Sequence, residues 1–196
     1  MTPKITVLFS STYGTNHGVA IEAARAAEEA GAEIRLRRCK ETAPEDVVNG
    51  QDAWREQLEK MHDIPEATSD DMEWADGYFV SVPTRFGVPS SQFRAFVDTL
   101  GPLWQSGALA NKAITATTSA QNPQGGQEMT IQSVYTTAMH WGAIIVPPGY
   151  ADPIKFEDGG NPYGYSCTPG ELSDIGKKSV AFQAERLVNF TRKIMD

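Results

Sequence analysis

Residues Phe9-Ser10-Ser11-Thr12-Tyr13-Gly14-Thr15-Asn16-His17-Gly18 decide how this chain reads. Ahead of them, Ile5-Thr6-Val7-Leu8-Phe9 is an apolar run with the length of a buried strand. Behind them, Val19, Ala23, Ala26, Ala27 and Ala30 recur at helical spacing, with Glu22, Arg25, Glu28 and Glu29 between. A strand, a tight polar turn and a helix leave the first helical N–H groups pointing into the turn, where they can hold an anion. Ser10, Ser11, Thr12, Thr15 and Asn16 surround that position with hydroxyl and amide groups, and Gly14 lets the backbone curl close. No Lys or Arg lies between Phe9 and Ala20, and the G-x-x-x-x-G-K-[ST] and G-x-G-x-x-G spacings are both missing. Two readings remain open at this point. One is a single terminal phosphate held by backbone amides and hydroxyls; the other is a polar turn that only caps a helix.

With 196 residues the chain has the length of one α/β domain, read here as a single domain over 1–196. Hydrophobic residues at 40% and charged residues at 21% are globular values, which excludes a disordered chain. The formal charge of −8 argues against nucleic acid and against an anionic membrane surface as partners. An anionic ligand must therefore be held by local dipoles. Cys39 and Cys167 have neither C-x-x-C nor metal-ligand spacing, so two free thiols, a reducing compartment and no metal site are expected. The first strand begins almost at Met1, without a signal-peptide pattern or an apolar run of membrane-spanning length. The expected location is the cytoplasm.

Further along, Gly31 stops the first helix, and Glu33-Ile34-Arg35-Leu36-Arg37-Arg38-Cys39 alternates as an edge strand does. The crossover from Lys40 to Asp76 is longer than one helix needs. Ala53, Trp54, Gln57, Leu58 and Met61 make a helical face in it, and it reads as a surface insertion, an oligomer contact or solvated excursion rather than a chemical site. Gly77-Tyr78-Phe79-Val80-Ser81-Val82 is a buried strand ending in Pro83-Thr84-Arg85-Phe86-Gly87, followed by a helix with Phe93, Phe96, Val97 and Leu100 on one face. The fourth strand runs from Lys112 to Thr118, ahead of the irregular loop Ser119-Ala120-Gln121-Asn122-Pro123-Gln124-Gly125-Gly126. A helix follows from Glu128 to His140, then a fifth strand, Ala143-Ile144-Ile145-Val146. Residues 149–170 read as loop, and a last helix carries Val180, Ala184, Leu187 and Val188 along one side. Five alternations of strand and helix predict a doubly wound, five-stranded parallel sheet in the order 2-1-3-4-5, with helices on both faces. Ligands of such sheets sit beyond the C-terminal strand ends, where the three polar loops after strands one, three and four meet.

Several of these stretches resemble the WrbA family. Ser11-Thr12-Tyr13-Gly14, Pro83-Thr84-Arg85-Phe86-Gly87, Leu103-Trp104-Gln105-Ser106-Gly107-Ala108-Leu109, Gly125-Gly126-Gln127-Glu128 and Pro162-Tyr163-Gly164 occur in the family's order and span nearly the whole chain. The resemblance implies a flavodoxin-like fold, FMN as cofactor, NAD(P)H as co-substrate, two-electron reduction of quinones and a homotetramer. It places the phosphate loop on Ser11, Thr12, Tyr13, Gly14, Thr15 and Asn16, and the segment that holds the flavin ring on Thr84, Arg85 and Phe86. Tyr13 and Trp104 fall at positions that border the substrate space. His140 falls at a histidine near the flavin, where an imidazole can pass a proton or hydrogen bond to a quinone oxygen. Ser119, Ala120, Gln121, Asn122 and Gly125 occupy the family's fourth-strand loop, but the usual Ser-Thr-Gly-rich run is replaced and one residue longer. The implied mechanism is ping-pong, with hydride passing to flavin N5. The alternative is a flavodoxin-type carrier of single electrons between protein partners.

Overall fold

The structure is a computed structural model that describes residues 1–195. In chain order it contains β1 (Lys4–Phe9), α1 (Thr15–Glu29), β2 (Glu33–Arg38), α2 (Glu45–Asn49), α3 (Asp52–Lys60), α4 (Ser69–Trp74) and β3 (Gly77–Arg85). There follow β4 (Val88–Pro89), α5 (Ser91–Asp98), α6 (Gly101–Ser106), β5 (Ala113–Ser119), α7 (Gln127–Trp141), β6 (Ile144–Ile145), β7 (Ser166–Cys167) and α8 (Asp174–Met195). Five strands pair in the order β2-β1-β3-β5-β6, all parallel, which is the expected 2-1-3-4-5 order. Two short strands decorate it. β4 folds back antiparallel on the end of β3, and β7 runs parallel beside the end of β5.

The pleat divides each strand between two cores. On one face Ile5, Val7, Phe9 and Phe79 pack with Val19, Ala20, Ala23, Ala26 and Ala27 of α1 and with Val180, Ala184, Leu187 and Val188 of α8. The alanine face of α1 is what allows close approach there. On the other face Leu8, Tyr78, Val80 and Val82 meet Phe93 and Phe96 of α5 and Ile131, Val134 and Ala138 of α7. The register aligns the strand ends: Phe9 lies beside Ser81, and Pro83 beside Ser119. Three loops are thereby delivered to one edge.

Three regions differ from expectation. The fifth strand shrinks to Ile144–Ile145, because Pro147 and Pro148 end the pairing at once. The Lys40–Asp76 crossover is not a solvated excursion: it holds α2, α3 and α4, and Leu58 and Met61 join the core around Phe9. Residues 149–170 are not all loop: they hold a 3-10 helix, Pro153–Phe156, and β7, and the rest is anchored. Lys155 and Asp158 form a fully buried ion pair, with the Ser179 hydroxyl and the Gly160 N–H donating to the same carboxylate. Burial pushes the Lys155 ammonium down, and Asp158 opposes that shift. Gly164 crosses β5 so closely that a Cβ would stand 1.9 Å from the Ala116 carbonyl oxygen, and only hydrogen fits. The Tyr135 hydroxyl clips the crossing by donating to the Tyr163 carbonyl at 2.6 Å.

Candidate functional site

Helix α1 begins without a side-chain cap and without an acidic residue in its first turn. Its N-cap, Gly14, has φ 101°, a left-handed conformation open to glycine at no steric cost. The first intrahelical bond is Gly18 N–H to the Gly14 carbonyl at 2.9 Å. The amides of Thr15, Asn16 and His17 therefore precede the helical ladder and carry the positive end of its dipole. Ser11 steadies the turn by accepting the Gly14 N–H at 3.1 Å, and Thr15 accepts from Gly170 N–H at 3.2 Å.

Asn16 turns inward. Its carboxamide donates to Ser81 Oγ at 3.2 Å and accepts from Ser119 Oγ at 2.6 Å, so it ties α1 to the ends of β3 and β5. With its side chain committed, Asn16 can offer a ligand only its backbone N–H. Thr84 is buried and shares a hydrogen bond with Thr118 at 3.1 Å. Arg85 is exposed and reaches back 73 residues, donating to Thr12 Oγ1 at 2.7 Å. A guanidinium thus stands at a loop whose own sequence contains no cation. Phe86 and Gly87 form the two-residue turn between β3 and β4, both with positive φ, 51° and 85°. That is the hairpin turn matched to strand twist, and it leaves the Phe86 ring 106% exposed.

The fourth-strand loop lies against this hairpin. A Cβ on Gly126 would stand 2.8 Å from the Gly87 Cα, so hairpin and loop meet backbone to backbone. Ala120 is buried with its N–H committed to the Cys167 carbonyl at 3.1 Å, while Gln121 and Asn122 are exposed on the crest. Gly125 closes the turn through its N–H to the Asn122 carbonyl at 2.9 Å. A cleft of about 680 Å³ opens beyond this loop, between Gln124–Met129 and 158–168.

Trp104 and His140 lie together. The Trp104 indole N–H donates to the His140 carbonyl at 3.0 Å, and both residues are exposed. His140 lines a groove of about 690 Å³ with Gly87, Val88, Arg94 and Met129. Tyr13 is 57% exposed beside the anion turn, its hydroxyl donating to Gln51 Oε1 at 2.5 Å.

Against this geometry, residues 3–155 match the family model described as NADPH-dependent FMN reductase. The chain belongs to the NADPH-dependent FMN reductase family. It is 53% identical over 194 residues to a protein of Deinococcus radiodurans named NAD(P)H dehydrogenase (quinone), covering 98% of this chain and 97% of that one. It is 35% identical over 205 residues to a quinone-oxidoreductase of Triphysaria versicolor, covering 99% and 98%. Among solved structures, a flavodoxin, WrbA-like protein from Agrobacterium tumefaciens superposes with a TM-score of 0.69 at 22% identity, over 98% of this chain and 99% of that one. The flavodoxin-like fold read from strand order is thereby borne out, and so is the WrbA resemblance read from the motifs.

Sequence reasoning missed two features of this family member's site. The family resemblance implies only a flavin-ring role for Arg85, whereas the structure joins its guanidinium to Thr12 of the polar turn. Nothing local announces that contact, since it depends on the β1–β3 register. The second is α3, which packs against the turn. Gln57, a buried amide on an otherwise apolar helical face, was the signal that could have found it.

Proposed function

We propose that the chain is one FMN-binding domain acting as an NAD(P)H:quinone oxidoreductase, homotetrameric and cytoplasmic, that alternates NAD(P)H and quinone at a single open face. The observation that carries this reading is the uncapped start of α1, set where three loops converge. Its residues fit the cofactor. Three free amides, a left-handed glycine cap and a neighbouring guanidinium suit a phosphate dianion. The close backbone contact of Gly126 with Gly87 leaves main-chain groups along the adjoining edge. Bound there, FMN supplies two-electron acceptance and donation in turn.

The protein's own residues do the rest. Thr15, Asn16 and His17 bind the phosphate through their amides, and Ser11 and Thr12 add hydroxyls. Thr84, Arg85 and Phe86 offer donors and a ring edge to the flavin plane, and Ser119, Ala120, Gln121, Asn122 and Gly125 border its other side. Backbone donors aimed at an edge that gains charge on reduction stabilise that charge without reorganisation. Tyr13 and Trp104 flank the substrate space, where flat rings stack. His140 supplies a proton or hydrogen bond to the quinone oxygen. The net charge of −8 fits small-molecule partners rather than nucleic acid, and the unpaired Cys39 and Cys167 fit a reducing compartment.

The test is direct. Purified protein loaded with FMN should oxidise NADH only when benzoquinone is present, with parallel double-reciprocal plots at varied quinone. If FMN binds without NADH oxidation, the electron-carrier reading takes its place. No binding of FMN sinks both.

A further inference from the structure

Helix α3 belongs to the crossover that sequence reasoning left without a task, yet its side chains meet the anion turn at both ends. A Cβ placed on Gly14 would stand 2.8 Å from Gln57 Oε1, so the Gln57 carboxamide fills the space that the glycine leaves. The same carboxamide donates from Nε2 to His17 Nδ1 at 3.0 Å. Gln57 is only 7% exposed. A buried primary amide is costly unless it is bonded, so this contact is more than filling. Burial also keeps His17 below its ordinary pKa, so the ring is neutral near pH 7 and Nδ1 is free to accept. The His17 ring stacks on Phe9, the last residue of β1, with centroids 5.4 Å apart and planes 14° apart. One side chain thus bridges the N-cap of α1 and its third residue, the two ends of the amide run available to an anion.

Gln57 is itself held in place. Tyr13 donates to Gln51 Oε1, just ahead of α3, and its ring meets Trp54 edge-on at 6.4 Å. The Trp54 indole donates to Glu41 at 3.0 Å, and Glu41 accepts from Gln92 of α5 at 2.7 Å. Leu58 and Met61 bury the inner side of the segment. The helix is tethered to the body on both flanks.

We propose that Gln57 is a positioning residue that holds the anion turn in its binding shape before any ligand arrives, acting on the phosphate end of the cofactor and not on its ring. The proposal rests on the FMN reading above. Preorganisation of this kind improves affinity by removing an ordering cost rather than by adding a contact.

The experiment titrates apoprotein with FMN and with riboflavin, which lacks the phosphate, and follows flavin fluorescence. Gln57→Leu and His17→Phe are compared with wild type, and thermal midpoints report folding. Each variant should weaken FMN about tenfold, the scale of one buried hydrogen bond, with riboflavin affinity unchanged. The double variant should lose no more than either single one, because both remove the same contact. Should Gln57→Leu fail to fold, His17→Phe, which leaves α3 intact, carries the comparison. Unchanged FMN affinity overturns the proposal, and so does a parallel loss for both flavins. Wild-type protein that binds neither flavin overturns the functional reading and this one with it.

Discussion

Phe86 shows how a single residue can stand against the interest of the fold. The first position of its turn has φ 51°, where Asn or Gly is the usual occupant. The ring gains nothing from packing, since it is 106% exposed. Strain of this kind costs about 1–3 kcal/mol and gathers at functional positions. Phe86→Asn should therefore raise the melting temperature of the flavin-free protein by about 2–4 °C for each kcal/mol of strain relieved, while FMN affinity and quinone turnover fall. A thermal scan paired with a flavin titration checks it, and a lower melting temperature would show that the ring supports the fold. Residues of this class were legible where the backbone does the work: Gly14 and the hydroxyls around it narrowed ten residues of sequence to two readings, a phosphate turn or a capped helix, and the uncapped start of α1 favours the first. Arg85 was only half legible. Its type and position could be read, but its bond to Thr12 required a register that no local pattern carries.

Among the elements, strands and long helices followed from periodicity, whereas the segments that read as loop proved to be held by polar groups. Residues 149–170 have no apolar period, and their order comes from Lys155 and Asp158, whose side chains are 0% and 1% exposed. Breaking such a pair leaves one charge buried alone. Lys155→Met should cost about 3–5 kcal/mol in urea unfolding, and adding Asp158→Leu should recover much of the loss. A double variant as unstable as the single one would place the cost in packing instead. The crossover misled for a related reason. Its helices are short and charged, and beside the apolar anchors Leu58 and Met61 they are docked by side-chain amides and carboxylates that a hydrophobic pattern does not register.

Across the whole molecule, Asp71 links the crossover to the sheet edge. It accepts from Arg35 at 3.1 Å and Arg37 at 2.9 Å on β2, and from the N–H and hydroxyl of Thr68 at the start of α4, while its carbonyl takes the Thr6 hydroxyl of β1. Burial works to raise its pKa, but the Thr68 hydrogen bonds and the Arg37 charge outweigh it and hold the carboxyl below its usual value. A depressed folded pKa stabilises above the unfolded value, near 3.9, and that contribution disappears as pH falls through the folded one. Asp71→Ala should thus cost about 1–2 kcal/mol at pH 7, and the gap to wild type should narrow below about pH 4 in paired denaturant curves. A gap independent of pH would leave only a packing role. Asn16 carries a consequence of another kind. Its carboxamide is secured by Ser81 and Ser119, on strands made much later than the turn they support. A nascent chain on the ribosome presents the anion turn almost at once, yet cannot set it firmly until residue 119 has left the exit tunnel. On the proposed function, prosthetic-group capture would wait on synthesis of the sheet's centre, and a half-made polypeptide would have no finished corner with which to withdraw flavin from the cell.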